Sequence, residues 1–331
     1  MSQSILGIDI GGTKCAVILG EVKESGLVEL RRKKTFPTET SKGFEHTIQN
    51  IYKNIDDVLS ESGLAPKDIA ACGVSCGGPL DSKKGIVMSP PNLPGWDNIP
   101  LVELLENRYG IKTGVQNDAN ACALAEWKYG AARGYNHAVF LTFGTGMGAG
   151  LILDGRLYVG ANDMAGEVGH IRLERFGPVG YGKAGSFEGF CSGGGLAQLA
   201  QTKTYEKFQM GEQVSFCKNL NEIHSINAKM LADVAFAGDE TALEIFEICG
   251  HYLGHALSIL IDILNPEMIV LGSIYARAQQ LIEPSMRKII ETETIPYSRN
   301  VCKIEPAELG ENIGDYAALS VATYQLKKDA Q

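Results

Sequence analysis

Two short segments of this chain carry residue types that handle phosphate. Residues 7–14 read GIDIGGTK and residues 144–149 read GTGMGA. In a glycine turn the backbone N–H groups can come close to phosphate oxygens, because no side chain intervenes. The hydroxyl of Thr13 or Thr145 adds a donor to its turn. Asp9 stands just ahead of the first turn, where a carboxylate can hold Mg2+ or its waters. Either turn alone reads equally well as a plain tight hairpin. The matched pair, together with Asp9, points to phosphate.

Two other phosphate loops are excluded. Residues 7–14 have the spacing of a P-loop but reverse its Lys and Thr, and the apolar run from Cys15 to Leu19 that follows is strand-like. GTGMGA matches a dinucleotide fingerprint, yet Leu151-Ile152-Leu153 after it is again strand-like, and a dinucleotide turn must open a helix.

The elements that must position these turns follow from the apolar spacing. Ile5 to Ile10 and Cys15 to Leu19 predict a strand on each side of the first turn. Phe44, Ile48, Ile51, Ile55, Val58 and Leu59 fall on one helix face. Ile69 to Ser75 predicts a buried strand, Leu101 to Tyr109 a helix stopped by Gly110, and Thr113 to Gln116 a strand. Asn117 then opens a helix running to about Tyr129. The pattern restarts with Ala138 to Phe143, the second glycine turn, and Ala149 to Leu153, which suggests a duplicated α/β fold. Leu243 to Leu264 predicts a long helix, Met268 to Leu271 a strand, and the chain from about Gly314 a last helix.

Composition sets the outer bounds. A chain of 331 residues exceeds one ordinary domain, so two are expected. Its 39 glycines are an excess over the usual ~7%. A net charge of −9 opposes binding to nucleic acid or an anionic membrane. The basic run Arg31-Arg32-Lys33-Lys34 reads as a solvated strand end. The first residues lack the charged region of a signal peptide, and no apolar run is long enough to span a membrane. The eight cysteines include no Cys-x-x-Cys pair, which favours the reducing cytoplasm without disulfides. His251 and His255, spaced i and i+4, read as a packed or solvated helix face, because no glutamate follows His251.

The motifs together resemble those of ROK-family sugar kinases, within the actin-like, hexokinase-type ATPase superfamily. The resemblance covers most of the chain. IDIGGTK at 8–14 is similar to the first phosphate motif and LTFGTGMGAGLILDGRLYVG at 141–160 to the second. CGGPLD at 76–81 and PPNLPGW at 90–96 resemble the sugar-side loops. QNDANACALAE at 116–126 resembles the segment with the catalytic aspartate, and AGEVGHI at 165–171 the E-x-G-H sugar motif.

The resemblance implies a duplicated actin-like (ribonuclease H-like) fold, with two α/β domains around a central cleft. One domain is expected from residues 1–117 plus about 314–331, the other from 118–313. It implies ATP with Mg2+, bound at Asp9, Gly11, Gly12, Thr13, Lys14, Gly144, Thr145, Gly146 and Gly272. Where paired glycines are usual after the late strand, Gly272 is kept and Ser273 stands second; residues 192–195, SGGG, are a further candidate lining of the nucleotide. It implies a sugar site made of Gly78, Asn92, Asn117, Glu167, His170 and Glu188. It makes Asp118 the base that takes a proton from the attacking hydroxyl, the one on C6. Phosphoryl transfer needs such a carboxylate near the acceptor oxygen, and a helix N-terminus favours its ionised form. Capping by the Asn117-Asp118 pair would explain the same residue types.

The chain departs from the family pattern in one segment. Many relatives carry C-x-C-G-x-x-G-C-x-E after E-x-G-H and hold structural zinc there. Here residues 179–188 read VGYGKAGSFE, so Val179, Tyr181 and Ser186 replace the cysteines and only His170 remains as a ligand. No structural zinc is expected, and packing through Tyr181 and Phe187 is expected to order the loop.

A hexose kinase acting on glucose is the leading reading. N-acetylmannosamine, N-acetylglucosamine, fructose or allose remain as substrates, and a non-catalytic sugar sensor remains as the reading of another class. A repressor would need a helix-turn-helix ahead of IDIGGTK, for which the sequence leaves no room. Expected partners are sugar and ATP, without nucleic acid or membrane; a homodimer is left open.

Overall fold

In this computed structural model, which describes residues 2–328, apolar runs on both sides of each glycine turn build two sheets of the same design. Gln3–Ile10 (β1) pairs antiparallel with Lys14–Val22 (β2), from Gln3 opposite Val22 to Ile10 opposite Cys15. Val28–Pro37 (β3) adds to the outer side of β2. After the helix Phe44–Glu61 (α1), Ile69–Cys76 (β4) lies parallel to β1. After the helix Leu101–Tyr109 (α2), Thr113–Asn117 (β5) lies parallel to β4. The order is β3-β2-β1-β4-β5.

The helix Asp118–Tyr129 (α3) leads into the second half. Ala138–Phe143 (β6) and Met147–Leu153 (β7) form the second hairpin, and Arg156–Tyr158 (β8) extends it. The helices Gly193–Gln209 (α4) and Glu240–Leu264 (α5) precede Met268–Leu271 (β9). The helix Ile274–Glu293 (α6) precedes Lys303–Pro306 (β10). The order β8-β7-β6-β9-β10 repeats that of the first sheet. The helix Ile313–Lys328 (α7) ends the described chain.

The two halves exchange helices. The helix α3 follows the last strand of the first sheet but packs on β6 and β7 of the second. The helix α7 follows the last strand of the second sheet but packs on β1 and β4 of the first, and α3 and α7 pack on each other. Close approach needs glycine on the strands. A Cβ on Gly73 would lie 2.2 Å from the Ala322 nitrogen of α7, and one on Gly150 would lie 2.4 Å from the Ala123 Cβ of α3. Small residues Ala121, Ala123, Ala317, Ala318 and Ala322 fill this inner layer, while Ile51, Ile55 and Phe246 anchor the outer cores.

Three elements differ from the sequence expectation. The basic run 31–34 is the middle of β3, a full edge strand. Its cations pair with carboxylates: Arg31 with Glu21 at 2.6 Å, Arg32 with Glu61 at 2.9 Å, Lys33 with Asp315 at 2.7 Å and Lys34 with Asp57 at 3.3 Å. Charges on an edge strand also block pairing with a foreign strand. Helix α6 has no clear signature in the sequence because Pro284 lies inside it, and proline reads as a helix end. Strand β10 is short, with alternating burial. All eight cysteines are free, and among the described residues no helix is long and apolar enough to cross a membrane.

Candidate active site

The first glycine turn joins β1 to β2 and is held from below. Gly11 N–H donates to the Lys14 carbonyl at 3.0 Å. Thr38, fully buried, donates its N–H to the Thr13 carbonyl at 3.0 Å and its hydroxyl to the Gly11 carbonyl at 2.5 Å. The turn's carbonyls are thus occupied by Thr38, while Thr13 and Lys14 stand exposed at its tip.

Asp9 sits at the end of β1 beside this turn. Partial burial, with Asp315 and Asp118 nearby, pushes its carboxyl up to about 6, and Lys33 and Lys14 pull the other way. Asp315 comes from the first turn of α7, is buried, and is bound by Lys33 at 2.7 Å. Among the described residues no donor satisfies the Asp9 carboxylate. A half-buried acceptor left open beside a phosphate-type turn fits a hard cation such as Mg2+.

The second turn repeats the design. Gly144 N–H donates to the Gly146 carbonyl at 3.2 Å, and Gly148 N–H donates to the Thr142 hydroxyl at 2.9 Å. Three other pieces of the chain close around it. Glu188 accepts from the Met147 N–H at 3.0 Å through Oε2, which a Cβ on Gly146 would approach to 2.9 Å. Gly193, in the first turn of α4, donates to the Gly144 carbonyl at 2.8 Å, and Ser192 caps that helix by accepting from Gly195 N–H. The SGGG segment thus brings a helix N-terminus to the turn, a setting that favours anions. Gly272 follows β9 and donates to the Leu141 carbonyl at 3.0 Å, and Ile274 beyond it reaches Gly193.

Asn117 and Asp118 split their tasks. Asn117 is the cap of α3, its Oδ1 accepting from the Asn120 N–H at 2.7 Å. Asp118 uses Oδ1 for the adjacent Ala119 N–H at 2.8 Å, so capping leaves its other oxygen uncommitted. Asp118 is exposed to solvent at the head of α3, with neighbouring chain packed around it. Enclosure by the protein raises its carboxyl, and the Ala119 N–H acts in the opposite sense. The helix N-terminus and the Ala119 N–H favour the ionised form, and loss of hydration acts against them.

Gly78 lies beside Asn117, and Glu167 is close enough to Asp118 to feel its charge. A Cβ on Gly78 would lie 3.7 Å from that of Asn117. Asn92 wedges between the first turn and the Gly77 loop: a Cβ on Gly12 would meet its carbonyl at 2.6 Å and one on Gly77 its Oδ1 at 2.8 Å. Glu167 and His170 are exposed, and the Glu167 carboxyl is pushed up by partial burial, Asp118 and Glu188, against His170.

Hydrogen bonds order the segment 177–191. Gln198 grips the Val179 backbone twice, accepting its N–H at 2.9 Å and donating to its carbonyl at 2.8 Å. Arg172 donates to the Ala184 carbonyl at 2.7 Å, Lys183 to the His170 carbonyl at 2.7 Å, and Ser186 caps the turn Phe187–Phe190. Phe187 is fully buried as expected, but Tyr181 is 75% exposed and only meets the His170 ring edge-on. Tyr181 therefore does not order the loop by burial. His251 and His255 do share a helix face, their Nε2 atoms 3.2 Å apart.

Thr38 and Asp315 have no signal in the sequence. Each acts through a partner whose position only the fold reveals.

Paired sheets of one order, with a glycine turn at the head of each and carboxylates between them, define the duplicated actin-like ATPase fold. The chain belongs to the ROK family, which it matches over residues 5–324. A glucokinase of Thermotoga maritima is 32% identical over 318 residues, 96% of each chain. A xylose repressor of Bacillus spizizenii also matches, 26% identical over 93% of this chain and 73% of its own. Among solved structures, a ROK hexokinase from Thermus thermophilus is 26% identical with a TM-score of 0.78, over 99% of this chain and 100% of that one. A ROK glucokinase from Streptomyces griseus, in complex with glucose and AMPPNP, is 27% identical with a TM-score of 0.74, over 97% of this chain and 99% of that one.

Proposed function

We propose that this chain transfers a phosphoryl group from ATP to the C6 hydroxyl of glucose, with Asp118 as the general base. It is an ATP-dependent sugar kinase. The observation that carries the base assignment is the placement of Asp118: an open carboxylate at the mouth of the site, near Asp9 and Glu167, with its capping duty taken by Asn117.

The division of labour follows from chemistry. The N–H groups of the two turns and the N-terminus of α4 hold the phosphate oxygens. Magnesium, held through Asp9, would neutralise charge on the transferred group. Asn92, Asn117, Glu167, His170 and Glu188 bond sugar hydroxyls, which both donate and accept. Asp118 takes the proton of the attacking hydroxyl as the bond to phosphorus forms. Its raised affinity for protons suits it to that step.

Residues 1–117 with the last helix, and residues 118–313, are assigned as the two bodies that close over the sugar and exclude water. A reducing cytoplasm suits the eight free cysteines. A sensor that has given up catalysis would be expected to lose Asp118 or a phosphate turn, and this chain has them all. The deciding experiment is ADP release with Mg-ATP across glucose, fructose, allose, N-acetylglucosamine and N-acetylmannosamine. Glucose should be turned over fastest; release with none of them would favour the sensor.

A further inference from the structure

The sugar-facing residues sit on two separate pieces of chain. Gly78 and Asn92 belong to loops of the first half, and Glu167 and His170 to a loop of the second. Asp163, four residues before Glu167, is only 6% exposed. Its Oδ2 accepts the Ser82 N–H at 2.9 Å and its Oδ1 accepts the Ser82 hydroxyl at 2.7 Å. Among the described residues, the hydrogen bonds that involve side chains and join residues 2–117 to residues 121–312 are these two.

Both ends of the bridge are rooted. Ser82 lies in a short hairpin pairing Leu80 with Val87, two buried residues, and the Met88 N–H bonds the Pro79 carbonyl next to Gly78 at 2.9 Å. On the other side, Ala165 N–H bonds the Val159 carbonyl at 3.2 Å, and Ala149 N–H of β7 bonds the Gly166 carbonyl at 2.8 Å. A shift at either end therefore carries a sugar-facing loop with it.

The backbone sharpens the point. Asp163 has φ of 61°, in the left-handed region that glycine occupies at least cost. A glycine there would relieve the backbone but would leave Ser82 without its acceptor.

We propose that Ser82 and Asp163 form a latch that limits how far the two sugar-facing loops can part, making them positioning residues for the acceptor sugar. This deepens the sugar-kinase reading and rests on it. The bridge sets the span between the Gly78 side and the Glu167 side. Ligands from both sides then start near the span of one sugar ring, so less of the closure is left for sugar binding to supply.

The test uses Asp163→Gly, which suits the backbone and deletes the carboxylate, with Ser82→Ala and the conservative Ser82→Thr. Losing a charge-assisted bond should raise the KM for sugar by about tenfold in Asp163→Gly. Ser82→Ala should fall between this and the parent, Ser82→Thr should match the parent, and the KM for ATP should stay within about twofold. A sugar KM within about twofold of the parent, or equal rises for sugar and ATP, overturns the latch. Hydrogen exchange on the ligand-free chain gives a readout that does not depend on turnover. Asp163→Gly should speed exchange in residues 80–88 and 159–167 together; a change confined to 159–167 overturns the latch. A parent chain that phosphorylates no sugar would sink the kinase reading alone, and the exchange result would still decide the latch.

Discussion

Gly150 of β7 lies so close beneath Ala123 of α3 that a Cβ on the glycine would stand 2.4 Å from the alanine's own. The Ala119 carbonyl oxygen would be 2.5 Å away. Helix α3 carries Asp118 at its first position, so this contact sets where the proposed base stands. Gly150→Ala should cost about 1–3 kcal/mol by overpacking, read from urea unfolding. It should also lower kcat, because relief of the clash lifts α3 from its sheet. Unchanged stability would mean the layer has slack the geometry denies.

Replacing Asp118 isolates the proton acceptor. Asp118→Asn keeps the shape and the bond to the Ala119 N–H but cannot accept the hydroxyl proton. The expected loss in kcat is about 10²-fold or more, with sugar affinity by calorimetry changed only a few-fold. A variant retaining a tenth of the parent rate would remove Asp118 from the role.

The pH dependence has a defined sign. A base works when deprotonated, and enclosure raises the Asp118 carboxyl above its ordinary range. The acid limb of kcat/KM should therefore lie above ~4, the value for an ordinary aspartate, and should vanish with Asp118→Asn. An acid limb at the ordinary value would contradict the enclosure.

Asp9 ties stability to pH in the metal-free chain. Its carboxyl is raised to about 6 from an ordinary 3.8, so the folded state holds the proton more tightly than the unfolded one. The associated stability is complete below the ordinary value and is lost as pH rises through about 6. Asp9→Asn removes the charge, so it should melt above the parent at pH ~7.5 and converge with it near pH ~3.5; the gap is at most ~3 kcal/mol. A variant that melts lower at both values would show that Asp9 is stabilising when ionised. The same variant should turn over poorly with Mg-ATP.

Zinc analysis tests the unusual loop. Hydrogen bonds from Gln198, Arg172 and Lys183 hold residues 177–191. Dialysed protein should carry well under one zinc per chain, and a chelator should leave its melting temperature unchanged. Gln198→Ala should loosen the loop and raise the KM for sugar more than that for ATP.

What the sequence disclosed and what it hid have a common cause. Apolar periodicity announced β1, β2, β4, α1 and α2, because burial of a strand or a helix face is written in local spacing. Asn117 and Asp118 were legible because a strand end and a helix start adjoin there. The pinning of the first turn by Thr38 was hidden, since the threonine lies beyond a strand and its value comes from two carbonyls it meets in space. Asp315 was hidden for the same reason: Lys33 and Asp9 are far from it in the chain. The basic run reads as a strand end, and the full length of β3 stays hidden because its charges serve ion pairs at a sheet edge in place of an apolar pattern.

The exchange of α3 and α7 has a consequence for how the protein is made. The inner face of the first sheet, with Ile5, Ile18 and Ala71, is covered by Ala318, Leu319 and Ala322 of α7, near the end of the chain. During synthesis that face waits, apolar and uncovered, until residues 313–328 have left the ribosome. Chains release at about 5–20 residues per second, so the exposure lasts many seconds. The N-terminal half is therefore expected to need shielding while it waits, and a premature stop before residue 313 would leave it unsealed.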